Sequence, residues 1–122
     1  MQRLRHEPPV DYRLCRQTVT LYHWDGSRVT RRVRRDAFFD SKKVLTVEKT
    51  GSAEASGFLL VLPGEEIPVA AGDKVFHGEG PEISSREDWA ALIPAKVPGL
   101  VVVKYVDPKS WNGRICHTEA GG

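Results

Sequence analysis

The alternation of hydrophobic and polar positions predicts that most of this chain is β-strand. Along Gln17–Trp24, Val19 and Leu21 fall on one face and mainly polar or aromatic residues fall on the other. Asp25-Gly26 is a strong signal for a tight turn, and Val29–Arg35 then alternates again. The two segments therefore predict an antiparallel hairpin whose second strand is rich in arginine.

Short apolar runs between turn residues predict further strands. Each run is too short for a typical helix and is bounded by glycine, proline or small polar residues. The predicted strands are Val44–Glu48, Phe58–Leu62, a short strand within Gly72–Gly78, a central strand at Leu100–Val106 and a last strand at Arg114–Thr118. Ile67–Val69 is predicted as a short edge segment, Asp107-Pro108 as a turn, Thr50–Gly57 as a flexible loop and Ala120–Gly122 as a frayed end.

One short helix is predicted over Ser84–Leu92. Ser85 suits the N-cap position, Glu87 and Asp88 place negative charge in the first turn, and Pro94 ends the segment. Six or seven short strands with one short helix indicate a mainly β protein, a small antiparallel β-barrel or sandwich.

Length and composition indicate one soluble globular domain. The chain has 122 residues, of which 40% are hydrophobic and 28% are charged. We expect a basic N-terminal arm over residues 1–16 and a single β-barrel domain over residues 17–122. The arm lacks the apolar segment of a signal peptide, and no apolar run approaches the roughly 20 residues that span a bilayer. We therefore expect a protein made in a cytoplasm, with no membrane partner.

Charge is distributed unevenly along the chain. Residues 1–35 contain nine arginines and three acidic residues, a net charge of +6, whereas the remainder contains nine basic and thirteen acidic residues, a net charge of −4. Such asymmetry suits a subunit that docks head-to-tail on copies of itself or on charged partners. The alternative is that strands distant in sequence interleave in the fold and mix these charges.

Five arginines in the first hairpin form the most conspicuous cluster: Arg28, Arg31, Arg32, Arg34 and Arg35. Several guanidinium groups along a strand can contact the phosphates of DNA or a charged partner. The alternative is a solvated face, or salt bridges to neighbouring acidic strands.

No motif for catalysis, a cofactor or a metal is evident. The phosphate-binding glycine loop, the paired-histidine zinc motif and the nucleophile elbow are all missing from the sequence. Cys116-His117 with Cys15 and His23 is the one grouping to consider as a metal site, but each element lacks the close ligand pair that zinc sites use. We therefore expect no enzyme activity, no cofactor and no metal, and a reducing compartment would keep both cysteines as thiols.

Several segments, in order, resemble the small head-to-tail connector proteins of tailed phages and prophages, also called stopper or minor capsid proteins. They are Thr18–Tyr22, Val47–Gly51, Phe58–Pro63, Gly72–Val75 with Gly78, and the C-terminal stretch from Asp88-Trp89 through Pro98–Leu100 to Trp111 and Gly113.

The resemblance implies a β-barrel subunit that forms a ring below the portal, in the neck of the virion, after assembly in the cytoplasm of a bacterial host. Its expected partners are further copies of itself, the portal or adaptor protein, tail proteins and, without sequence specificity, the packaged DNA. The family pattern places a loop in the channel, where it helps to retain DNA. By position that loop is Lys49, Thr50, Gly51, Ser52, Ala53, Glu54, Ala55, Ser56 and Gly57. A nucleic-acid-binding β-barrel that uses the arginine cluster is the alternative.

Overall fold

The computed structural model describes residues 12–48 and 51–122, and side chains at these positions other than 42–56. These described residues form seven antiparallel strands and one short helix, so the predicted mainly β fold is confirmed. The elements are β1 (Gln17–Trp24), β2 (Val29–Glu48), β3 (Gly51–Pro63), β4 (Lys74–His77), α1 (Arg86–Ala91), β5 (Leu100–Val102), β6 (Tyr105–Trp111) and β7 (Arg114–Gly121).

The strands form one sheet in the order β5-β4-β1-β2-β3-β7-β6. Its two outer strands are joined by only Val103 and Lys104. Val103 N–H donates to the Asp73 carbonyl at 2.8 Å, and Lys104 N–H donates to the Gly121 carbonyl, also at 2.8 Å. The chain therefore passes from the neighbourhood of β4 to that of β7 within two residues, which curls the sheet into a barrel-like shape.

Apolar residues at alternate positions fill the concave side of the curled sheet. This core contains Val19, Leu21, Ala37, Phe39, Leu60, Leu62, Val69, Val75, Val103 and Ala120. A second, smaller cluster on the other face of β1 joins Tyr22, Leu92 and Leu100, with Trp89 packed against it. Both faces of β1 are therefore buried, one by the barrel interior and the other by the segment around α1.

The helix begins as the sequence predicts. The Ser85 hydroxyl accepts from Asp88 N–H, and the Asp88 carboxylate accepts from Ser85 N–H in return, a complete capping box. The cation Lys74 donates to the Trp89 carbonyl at 2.7 Å and lies 4.2 Å from the centre of its ring. These contacts fasten α1 to β4.

Several predictions for the connecting segments are wrong. Gly51–Gly57 pairs with β2 as part of β3, so the loop expected there is a strand, and Lys49 and Thr50 lie outside the described residues. The predicted central strand at Leu100–Val106 instead supplies β5 and the start of β6, the two outer strands of the sheet.

Three shorter segments also differ from expectation. Asp107-Pro108 lies within β6, and Ile67–Val69 forms no strand. The frayed end expected at Ala120–Gly122 is ordered, because Ala120 is fully buried and Phe58 N–H donates to the Gly122 carbonyl at 3.2 Å. Burial of alanine and glycine in a barrel cannot be anticipated from their small side chains.

Candidate functional site

The arginine cluster is divided by the fold into residues with and without internal partners. Because β2 alternates its side chains between the two faces of the sheet, neighbouring arginines reach different surroundings. The register with β1 places Arg31 opposite Tyr22 and Arg32 opposite Leu21, so these two guanidinium groups leave β2 on opposite sides.

Arg31 fixes a loop that follows β4. Its Nη2 donates to the Gly80 carbonyl at 2.5 Å, and its Nε donates to the Pro81 carbonyl at 3.2 Å. The Tyr22 hydroxyl donates to the same Pro81 carbonyl at 2.6 Å. Burial raises the pKa of Tyr22, and the hydrogen bond and charge of Arg31 oppose that rise. Arg31 is therefore a structural clamp.

Arg34 and Arg35 are also engaged within the subunit. Arg34 forms a bidentate pair with Asp36, at 2.7 and 3.0 Å, and donates to the Pro63 carbonyl at 2.9 Å. The hydrogen bond from Arg34 lowers the pKa of the Asp36 carboxyl. Arg35 pairs with Glu79 at 3.1 Å on an exposed surface, where such pairs contribute little.

Arg28 and Arg32 are exposed, and no hydrogen bond or salt bridge joins their guanidinium groups to a described residue, although the charge of Arg28 helps to lower the pKa of Asp25. Of the five predicted contact residues, these two have a charge that is available to an external anion. The salt bridges expected as the alternative are found for Arg34, with Asp36, and for Arg35, with Glu79.

The histidine and cysteine residues considered as a metal grouping are separated by the fold. His23 Nδ1 lies 2.6 Å from the Asp73 carboxylate, whereas His117 Nδ1 lies 2.7 Å from the Tyr12 hydroxyl. Within residues 12–48 and 51–122, no group of three or more potential ligands is close enough to hold a metal ion. Burial is the main cause of the raised pKa of the Cys15 thiol.

His117 instead anchors the N-terminal segment. Its side chain is 6% exposed, and its ring lies edge-on to the Tyr12 ring, with 5.3 Å between ring centres. Nε2 donates a hydrogen bond to the Glu119 carboxylate at 3.1 Å, because a carboxylate oxygen can only accept, and Nδ1 shares a hydrogen bond with the Tyr12 hydroxyl. Burial raises the pKa of Tyr12. The predicted arm over residues 1–16 thus includes an ordered part from Tyr12, which sequence reasoning missed because the two partners are 105 positions apart.

The hairpin of β2 and β3 extends beyond its neighbours in the sheet. The register of β2 with β1 ends at Ala37, and that of β3 with β7 begins at Leu59. β2 and β3 pair with each other from Phe38↔Val61 to Glu48↔Gly51. We call the part formed by residues 42–48 and 51–56 the ribbon. Within the described backbone, its two strands have only each other as sheet neighbours.

An open apolar groove lies beside the base of the ribbon. It has a volume of about 470 Å³, and the rings of Phe39, Phe58 and His77 contribute to its lining together with β5. Phe39 lies 5.8 Å from Phe58 and 4.7 Å from His77, measured between ring centres.

In the part of the chain that the structure describes, no helix is long and apolar enough to cross a membrane.

Comparisons of the chain with protein families, with curated proteins and with solved structures found no match.

Proposed function

We propose that this chain is a head-to-tail connector subunit of a tailed phage or prophage. It assembles with other copies into a ring below the portal, in the neck of the virion, where it helps to join the tail and to retain packaged DNA. It acts by assembly and not by catalysis. The ordered resemblance of Thr18–Tyr22, Phe58–Pro63, Gly72–Val75 and the C-terminal segments supports this proposal.

The observation that carries the proposal is the ribbon, whose two edges have no sheet partner among the described residues. Isolated two-stranded hairpins are marginally stable in water. Their unpaired N–H and C=O groups also favour pairing with another chain. A subunit that exposes both edges of residues 42–48 and 51–56 is therefore suited to an assembly in which neighbouring copies or a partner cover them.

The dimensions of the ribbon suit a channel element. Each of its strands contributes six or seven residues, and a strand rises about 3.3 Å per residue, so the ribbon extends roughly 20 Å from the barrel. Its second strand, residues 51–56, belongs to the segment Lys49–Gly57 that the resemblance assigns to the channel. A rigid barrel with a projecting ribbon can place that segment toward the axis of a ring.

Sedimentation of the purified chain, alone and mixed with the portal protein from the same genome, tests this proposal. We expect a ring or a portal-bound layer. A matched variant replaces residues 44–55 with Asn-Gly, the preferred sequence for a two-residue hairpin, so that residues 43 and 56, which pair with each other, flank the new turn; the part of β2 and β3 that packs in the barrel is kept. We expect this variant to fold and to lose the assembly. A strict monomer without affinity for the portal would sink the proposal.

The second candidate is a nucleic-acid-binding β-barrel that uses the arginine cluster. The exposed Arg28 and Arg32 favour it, but Arg31, Arg34 and Arg35 have internal partners. Each phosphate contact contributes about 0.9 to the slope of log affinity against log salt concentration, so two arginines account for a slope of only about −2. A monomer that binds DNA with a much steeper slope would favour this candidate over the connector.

A further inference from the structure

Polar side chains from β1, from β2 and from the residue before β4 meet at one end of the barrel, away from the ribbon. Leu21 of β1 and Val75 of β4 are buried in the barrel core. His23 lies two positions after Leu21 on β1, and Asp73 lies two positions before Val75, just ahead of β4. Successive residues of a strand face opposite sides, so His23 and Asp73 continue the concave face beyond the core. The hydrogen bond between them confirms that they meet there.

The first hairpin adds two side chains to the same face. β1 and β2 pair with His23 opposite Thr30 and with Leu21 opposite Arg32. Directly opposite residues share a face, and His23 and Arg32 are diagonal neighbours on it, at a typical separation of about 7–8 Å. Long side chains reach across that distance. Thr30 and Arg32 are both exposed.

A buried carboxylate holds the imidazole of His23 in place. The side chain of Asp73 is 6% exposed, and that of His23 is 48% exposed. One Asp73 oxygen lies 2.6 Å from His23 Nδ1, and the other accepts from Ala70 N–H at 2.9 Å. Both oxygens of the carboxylate are therefore engaged, while the side chain of His23 remains about half exposed.

Arg32 differs from the arginines on either side of it. Arg31 donates to two carbonyls, and no polar partner of Arg32 is found among the described residues. A guanidinium group that has no partner among the described residues, and that lies near an oriented imidazole and a hydroxyl, can offer several N–H and O–H donors to a single anion.

We propose that Arg32, His23 and Thr30 form a binding site for a phosphate group. Arg32 supplies two parallel donors to two phosphate oxygens, the Thr30 hydroxyl donates a third hydrogen bond, and the oriented His23 ring forms the remaining side of the site. Asp73 acts as a positioning residue, since it holds His23 through Nδ1. The bound group is either a phosphate of a nucleic-acid backbone or a free phosphate ion. Only binding of a nucleic-acid backbone rests on the proposed function.

Titration of the ¹⁵N-labelled full chain with sodium phosphate, followed by NMR, tests the site. We expect the shifts of His23 ring nuclei and of Thr30 and Arg32 amides to saturate. Arg32→Ala should weaken phosphate binding about tenfold, the usual effect of losing a hydrogen bond to a charged group. Arg28→Ala, an equally exposed arginine on the same hairpin, is the matched control and should change the affinity less than twofold.

A second titration with a short DNA duplex distinguishes the sources. Arg32-dependent DNA binding assigns the site to a nucleic-acid backbone, and Arg32-dependent phosphate binding without DNA binding assigns it to free phosphate. No saturable shift at His23, or equal losses in Arg28→Ala and Arg32→Ala, would overturn the site. Ring assembly is measured on the same Arg32→Ala sample, so a failed site with an intact ring leaves the connector proposal standing.

Discussion

The side-chain amide of Gln17 pairs with the backbone of Phe39 as a peptide group in a neighbouring strand would. Gln17 Nε2 donates to the Phe39 carbonyl at 3.2 Å, and Phe39 N–H donates to Gln17 Oε1 at 2.9 Å. The register between β1 and β2 shifts between Gln17 and Val19. Gln17 therefore closes the edge of β2 at the end of its ladder with β1, close to where the ribbon begins.

Replacement of Gln17 should loosen the base of the ribbon. Gln17→Leu leaves both backbone groups of Phe39 without their partner, and we expect a loss of about 1–2 kcal/mol in the free energy of unfolding. Urea denaturation measures the loss, and hydrogen exchange at the Phe39 amide should accelerate. Gln17→Glu keeps one acceptor and removes the donor, so an effect as large as that of leucine would contradict this account.

Gly80 should tolerate no side chain. A Cβ at this position would clash with the Tyr22 hydroxyl and would lie 3.2 Å from two ring atoms of Phe76. We expect Gly80→Ala to destabilise the protein by about 1–3 kcal/mol through overpacking, measured as a lower Tm. Because the nearest atom is the hydroxyl, the cost of Gly80→Ala should be smaller in a Tyr22→Phe background. An equal cost in both backgrounds would place the strain elsewhere.

Adjacent arginines of β2 should respond differently to the same conservative change. Arg31→Lys loses the planar group that reaches the carbonyls of both Gly80 and Pro81, and we expect a loss of about 1–2 kcal/mol. Arg32→Lys should stay within about 0.5 kcal/mol, as is usual for exposed positions without internal contacts. Chemical denaturation of the two variants measures the difference, and similar losses would show that Arg31 is not a clamp.

Two buried threonines should show opposite effects on conversion to valine. The Thr20 hydroxyl donates to the Gly78 carbonyl and accepts from Gly80 N–H, each at 2.8 Å. The Thr118 hydroxyl is buried with no hydrogen-bond partner among the described residues. We expect Thr20→Val to cost about 1–3 kcal/mol and Thr118→Val to be neutral or stabilising, because only the first change leaves a buried donor unpaired. Thermal denaturation of both variants measures the difference, and an equal loss of stability in Thr20→Val and Thr118→Val would contradict this account.

Asp36 should contribute to loss of stability in acid. Arg34 lowers the pKa of Asp36 from its ordinary value of 3.8. A carboxyl with a lowered pKa in the folded state stabilises that state fully above its unfolded pKa, and the contribution is lost as the pH falls toward the folded pKa. We expect Asp36→Asn to reduce stability at pH 7 and to show a shallower decline below pH 3.8. Urea midpoints measured across this range would contradict the account if the two proteins declined in parallel.

Local sequence signals determined the parts of this protein that depend on near neighbours. The alternation in Gln17–Trp24 and the Asp25-Gly26 turn predicted the first hairpin, and Ser85 with Asp88 predicted the start of α1. These signals succeed because side-chain period, turn geometry and helix capping are set within a few residues.

Tertiary structure decided how those parts meet. The small, polar residues of Gly51–Gly57 have weak strand propensity, and they form a strand because β2 supplies a complete pairing partner. The sequence shows five similar arginines, but their separate roles depend on the carbonyl and carboxylate groups that each one contacts. Arg31, for example, donates to the carbonyl of Pro81, 50 positions further along the chain. Asp73 meets His23 across 50 positions, and such long-range contacts depend on the closure of the whole sheet, which no local pattern specifies.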